Sequence, residues 1–184
     1  MDKNIIKKIY SEDSRRLINT TKFDITVGSE GYGETGFDSM ETIVSHFNEH
    51  FNENTVFYDL GCGTGKIVYH IGLCYPVKKS CGIEFSKERC IIANQIREKY
   101  DIQSDKISIL NKNILDCDIS DATVIYMDNT LFPKVIVDKI NDIIPVGCLV
   151  ISRAKFSNQL YISNKINGSV LSNYGGSSLY YMIK

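Results

Sequence analysis

Residues 54–74 read NTVFYDLGCGTGKIVYHIGLC. A short run of β-branched and aromatic residues ends at Asp59 and Leu60, glycines follow at 61, 63 and 65, and an apolar stretch resumes at Lys66. This is a buried strand, a tight turn and a helix in direct succession. Alternating glycines let the backbone approach a ligand closely, and the amides at the start of the helix face whatever lies in the turn. A second stretch, GYGETG at 31–36, fits the dinucleotide fingerprint G-x-G-x-x-G letter for letter. Its context is wrong, because the preceding FDITVGSE is half polar and no apolar strand feeds it. At the first turn the same fingerprint would need a third glycine at 66, where Lys66 stands. The ligand loop is therefore 61–65, and it is not of the NAD type.

The same alternation continues away from this turn. KKSCGIEF (78–85), KISIL (106–110), ATVIYMD (122–128) and GCLVISRAKF (147–156) are short apolar runs bounded by turn residues, as buried strands are. Helical patterns separate most of them. The first starts at Asp38, with Asp38 and Glu41 as a D-x-x-E cap and Met40, Ile43, Val44, Phe47 and Phe51 on one face. Others run from Lys66 to about Cys74, from Ser86 to Tyr100 with Cys90, Ala93, Ile96 and Tyr100 inward, and from Pro133 with Val137, Ile140 and Ile144 inward. Strands alternating with helices predict a parallel sheet covered on both faces, an α/β fold of Rossmann type. The last residues, SNKINGSVLSNYGGSSLYYMIK, show two strand-like runs around a glycine turn and predict a closing antiparallel hairpin.

Composition excludes several classes. The chain has 184 residues, 43% hydrophobic and 23% charged, as expected of one globular domain. No apolar run approaches the roughly 18 residues of a membrane span, and charge interrupts the start, MDKNIIKKIYSEDSRRL, every few positions. An intracellular protein without a membrane partner is expected. Six cysteines without a C-x-x-C pair, and three histidines without a cysteine at ligand spacing, predict buried thiols and no metal site. A net charge of −1 argues against a surface that grips nucleic acid all over, although Lys3, Lys7, Lys8, Arg15, Arg16 and Lys22 make the beginning locally basic. That segment reads either as a docking arm or as a solvated helix face.

A carboxylate at the end of the strand after the glycine turn can accept both hydroxyls of a ribose, and CGIEF puts Glu84 there. DLGCGTG followed by this acid resembles the S-adenosylmethionine loop of the seven-strand methyltransferases. In order along the chain, YGET before a helix, DLGCGTG, GIEF, VIYMDNTLF, ISRAKF and a terminal LYY resemble the non-SET histone lysine methyltransferases of the disruptor of telomeric silencing family, from about residue 30 onward. The resemblance implies a Rossmann-like class I methyltransferase with a mostly parallel seven-strand sheet, helices on both faces and a C-terminal antiparallel hairpin. It implies a short helical, basic segment at 1–30 and a catalytic domain at 31–184.

It also implies roles. Tyr32, Gly33, Glu34 and Thr35 would cover the methionine end of S-adenosylmethionine, Asp59, Gly61 and Gly63 would line the cofactor, and Glu84 would hold its ribose. Asn113 and Ile114 stand where an Asp-Phe pair usually meets the adenine, and Lys66 replaces a usual glutamine. The acceptor site would form around Asp128, Asn129, Thr130, Leu131 and Phe132, where the family reads Asn-Asn-Phe-Ala-Phe, with Tyr180 as a channel tyrosine and Asn129 also near the cofactor. The residue types suit the chemistry. A free lysine has a pKa of about 10.4, and a dry aromatic channel favours its neutral, nucleophilic form. Phe132 and Tyr180 supply walls, Asn129 accepts a hydrogen bond from the amine, and Asp128 guides the amine inward or takes its proton.

The implied activity is methyl transfer to a lysine of a nucleosomal core histone, H3 or another, with weak DNA contact through the basic beginning of the chain. The nucleus, a host nucleus or a viral factory would be its place, since richness in Ile, Asn and Lys suggests an AT-rich genome. Three other readings compete. Methyltransferases of adenine or glutamine nitrogen carry a D/N-P-P-Y/F motif, and DNTLF at 128–132 lacks both prolines. A small-molecule acceptor is a second. A catalytically inactive scaffold is a third, and it predicts a spoiled glycine loop, whereas this loop is intact.

Overall fold

The computed structural model describes residues 3–13, 33–156, 164–165, 170–172, 175–177 and 179–184. Five strands run parallel in the order β3 (Ile107–Asn111), β2 (Lys79–Glu84), β1 (Val56–Leu60), β4 (Val124–Met127) and β5 (Leu149–Ser152). The order reverses between β1 and β4, which opens a crevice at the carboxyl ends of these strands, where ligands of such folds sit. The expected C-terminal hairpin divides in two. β7 (Val170–Ser172) and β8 (Gly175–Ser177) pair with each other outside the sheet, while β9 (Tyr180–Ile183) joins the sheet antiparallel to β5. β6 (Asn164–Lys165) adds a ladder of only two residues against β9, so a seventh strand is no more than that.

Strand periodicity decides what each face does. Phe57 and Tyr126 point toward α2 (Phe37–His46) and α3 (Lys66–Cys74), packing with Met40, Ile43, Ile67 and Ile71. Tyr58, Ile125, Val150 and Met182 point the other way, onto Val137 and Ile140 of α5 (Lys134–Ile143). α4 (Lys87–Lys99) packs Ile96 with Tyr69 and Ile107 beside β3. Its N-cap is Ser86, whose hydroxyl accepts from the Arg89 amide.

Two expectations need correction. The D-x-x-E cap does not form, because Gly36 caps α2, and Glu41 is drawn instead to Lys3, His70 and Tyr75. Of the basic beginning, residues 3–13 are described, and there the helix is not a solvated face alone. α1 (Lys3–Glu12) buries Ile6 and Ile9 completely against α3, Lys3 pairs with Glu41 at 2.5 Å, and Lys7 lies over the Phe37 ring. Among the described residues no helix is long and apolar enough to cross a membrane.

Candidate active site

The glycine turn at the end of β1 has the strained geometry its sequence requires. Gly61 and Gly65 have φ of +85° and +79°, in the left-handed region, and a Cβ on Gly65 would lie 2.3 Å from the Ile109 side chain. The Gly61 and Cys62 amides donate to the Ile83 carbonyl, which binds the turn to the end of β2. Glu84 is buried at that end and fixed from both sides: Oε2 accepts from the Gly63 amide and Oε1 from the Ser86 amide, each at 2.8 Å. Arg89 stands 3.7 Å from the same carboxylate. Asp59 is buried one strand over, and burial, then the charges of Glu84 and Asp128, push its carboxyl well above the ordinary range.

The segment carrying Gly33, Glu34 and Thr35 is fastened near this turn by buried side-chain contacts, among them the following. Lys66, the first residue of α3, pairs with Glu34 at 2.9 Å. The hydroxyls of Thr35 and Tyr126 share a hydrogen bond of 2.6 Å. Tyr32 lies outside the described residues. α1 also contributes, since the Tyr10 ring lies 5.9 Å from the Lys66 ammonium and its hydroxyl 3.4 Å from His70 Nδ1. Sequence reasoning missed Tyr10 and Tyr126. A signal for Tyr10 was present, because Ile6, Ile9 and Tyr10 form a stripe at helical spacing. For Tyr126 only its phase with Asp128, two residues on in the strand run, hinted that it faces the site.

On the far side of β2, Asn113 caps the short 3₁₀ turn Ile114–Asp116, its Oδ1 accepting from the Leu115 amide at 3.0 Å. Of the two acceptor positions on the oxygen expected to meet an adenine amine, one is thus taken. Ile114 is half-buried with the α5-side apolar cluster. Asn111, also missed, donates its amide to the carbonyls of Glu84 and Phe85, at 3.0 and 2.9 Å, and ties β3 to the end of β2.

The acceptor loop follows β4. Phe132 reaches back over the glycine turn, its ring edge 3.0 Å from where a Cβ on Gly61 would stand. Asn129 is buried and braces this loop to the one after β5: its Oδ1 accepts from the Ala154 amide at 2.7 Å and its Nδ2 donates to the Ala154 carbonyl at 3.0 Å. Asp128 accepts from the Thr130 amide and hydroxyl, at 3.3 and 2.6 Å, and Leu131 is exposed. Tyr180 opens β9 opposite Ser152, and the antiparallel direction of β9 puts it at the carboxyl end of β5. Asp59, Gly61, Gly63, Lys66 and Glu84 thus meet Glu34 and Thr35 from one side and Phe132 from another, with Asn113 and Ile114 at the β3 edge and Tyr180 at the β5 edge. Among the described residues no group of His, Cys, Asp or Glu is arranged to hold a metal.

Comparisons with known proteins bear on the family and the fold. Residues 7–181 match the family model described as histone methylation protein DOT1. A protein-lysine N-methyltransferase of Saccharolobus islandicus is 37% identical over 76 residues, 41% of this chain and 47% of that protein, so the chain spans about half the length of the curated relative it matches. Among solved structures, the RNA methyltransferase from Salinibacter ruber in complex with S-adenosyl-L-homocysteine is similar with a TM-score of 0.64 and 18% identity, over 82% of this chain and 93% of that one. The precorrin 8W decarboxylase of Methanobacterium thermoautotrophicum gives 0.54 and 15%, over 88% and 94%. At such identities the structural likeness shows the fold alone.

Proposed function

We propose that the chain, which belongs to the family of the histone methylation protein DOT1, transfers a methyl group from S-adenosylmethionine to the side-chain amine of a lysine on a nucleosomal core histone, H3 or another. The residues present fit the cofactor. Asp59 and Glu84 are buried carboxylates that would take its ammonium and ribose hydroxyls, the amides opening α3 would face its carboxylate, and Thr35 and Glu34, with Lys66 paired to Glu34, would cover that end. When bound, the cofactor supplies a methyl group already activated on a sulfonium, so the protein needs no covalent nucleophile.

What remains for the chain is placement and proton handling. Phe132 and Tyr180 are the apolar walls that disfavour an ammonium and hold the amine neutral. Asn129, fixed by Ala154, keeps the acceptor loop at a set height above the cofactor turn. Asp128, half-buried at the start of that loop, is the carboxylate that would carry the amine's proton to water. The observation that carries this reading is the contact of Phe132 with the Gly61 turn, which brings acceptor loop and cofactor loop into one crevice.

A lysine on a protein other than a histone is the second reading, favoured by the Saccharolobus relative, whose name specifies protein lysine without naming a histone. Both are tested by methyl transfer from labelled S-adenosylmethionine to reconstituted nucleosomes, free histones, other proteins, DNA and RNA in parallel, with Gly63→Arg as the inactive control and mass-spectrometric mapping. Label on a core-histone lysine, lost in the control, supports the proposal. Label only on other proteins supports the second reading, and label only on nucleic acid, or none, overturns both.

A further inference from the structure

We infer that Tyr126 is a positioning residue of the methyl-transfer site, holding the 33–36 segment closed over the cofactor through its hydrogen bond to Thr35. Tyr126 is 1% exposed and sits in the apolar face of the sheet among Met40, Val124, Leu149 and Ile151. A phenylalanine would fill the same volume there without burying a hydroxyl, and a buried hydroxyl is costly unless it is hydrogen-bonded. Burial pushes the Tyr126 phenol up, so it stays neutral and acts only through its hydrogen bond. Its partner is Thr35, at 2.6 Å, 91 residues away in sequence and also buried.

The position on the strand explains the use of that bond. Tyr126 is paired in register with Asp59 on β1, and Asp128, which begins the acceptor loop, follows it by two residues. A bond from this side chain to Thr35 therefore ties three things together: the segment over the cofactor, the strand end carrying Asp59, and the strand that leads into the acceptor loop. A second side-chain bond of the segment, Glu34 to Lys66, fastens it to α3. The Tyr126 bond is the one that ties it to β4 through Thr35.

The inference rests on the cofactor reading above, and its test separates the two. S-Adenosylhomocysteine is titrated calorimetrically into the wild-type chain, Tyr126→Phe, Thr35→Val and the double variant, and amide hydrogen exchange is followed on each. Tyr126→Phe is expected to weaken binding about tenfold and Thr35→Val by a similar factor, with the double variant no worse than either alone, because both remove one bond. Exchange should speed up at 33–36 while β1 and β4 stay protected, a pattern that a purely structural loss would not give. Unchanged affinity in the variants of a wild type that does bind, or losses that multiply in the double variant, would overturn the role of Tyr126 and leave the cofactor reading standing. A wild-type chain that does not bind the ligand would overturn both.

Discussion

The two halves of the crevice are built by different means. At the glycine turn, backbone groups fix the ends of β1 and β2: the Gly63 and Ser86 amides hold Glu84, and the Ile83 carbonyl holds the turn, while side-chain bonds hold the 33–36 segment. On the acceptor side, side chains do the fixing: Asn129 bonds to Ala154 and Asp128 bonds to Thr130, while Leu131 is left exposed. A site fixed by backbone tolerates few substitutions, because the conformation itself is at stake. A site fixed by side chains can change its target while the fold stays the same. The family sequence Asn-Asn-Phe-Ala-Phe and the Asp-Asn-Thr-Leu-Phe found here differ on that second side.

The sharpest break of this contrast is at Gly65. Gly65→Ala places a Cβ 2.3 Å from Ile109 at a φ of +79°, and is expected to cost about 2–4 kcal/mol of stability and at least tenfold in affinity for S-adenosylhomocysteine. Thermal denaturation and calorimetric titration measure both. An alanine variant that binds like wild type would mean the turn is not set by its backbone. The opposite half is tested by Asn129→Ala, which removes both bonds to Ala154. Methyl transfer is expected to fall about tenfold, with cofactor affinity changed less than about twofold. Equal losses in both would erase the distinction between the halves.

This division also explains what could be read from sequence. Glycine at 61, 63 and 65 and an acid at 84 are recorded in the residue types, because positive φ favours glycine and two amides fix the acid, and so the glycine turn and five parallel strands were legible. The bonds of Asn129 to Ala154 and of Thr35 to Tyr126 join residues 25 and 91 positions apart, and nothing in either local pattern announces them. The Glu41 cap failed for a related reason. Its spacing from Asp38 suited a capping box, but Lys3, His70 and Tyr75 from two other helix regions offered the carboxylate stronger partners.

pH separates two carboxylates in the same way. Asp59 is raised well above the ordinary range, chiefly by burial and then by Glu84 and Asp128. Its folded state binds the proton more tightly than the unfolded chain, so its contribution to stability is present below the ordinary carboxylate range and is lost as pH rises through the folded value. If Asp59 takes the cofactor's ammonium, as proposed, cofactor binding runs the other way, because the ionised form is the one that would pair with it. Affinity for S-adenosylhomocysteine should rise with pH above the usual carboxylate range, and Asp59→Asn should flatten that rise. At Glu41 burial raises the carboxyl, but hydrogen bonds from Lys3, Tyr75 and His70 outweigh it and bring the value down to about 2, from 4.5. Stability from Glu41 is therefore present above pH 4.5 and lost as pH falls toward 2, and Glu41→Gln should remove this acid sensitivity without altering the Asp59 profile.

The smallest expected effect concerns the basic beginning of the chain. Deleting residues 1–22 would not test it, because the deletion takes away Ile6, Ile9 and Tyr10 together with the charges, and with them the packing on α3 and the ring beside Lys66. Lys3 and Lys7 are also unsuitable, being engaged with Glu41 and Phe37. Lys8 is exposed on α1, and Arg15, Arg16 and Lys22 lie outside the described residues. Changing these four to glutamate keeps the apolar stripe of α1 and reverses the charge. If they meet nucleosomal DNA, transfer to nucleosomes should fall about threefold to tenfold at low salt and the difference should shrink as salt rises, since each neutralised phosphate contributes to the salt slope. Transfer to free histone should stay within about twofold of wild type. An equal loss on both substrates would place these charges in folding or in catalysis, and no loss on either would remove them from substrate choice.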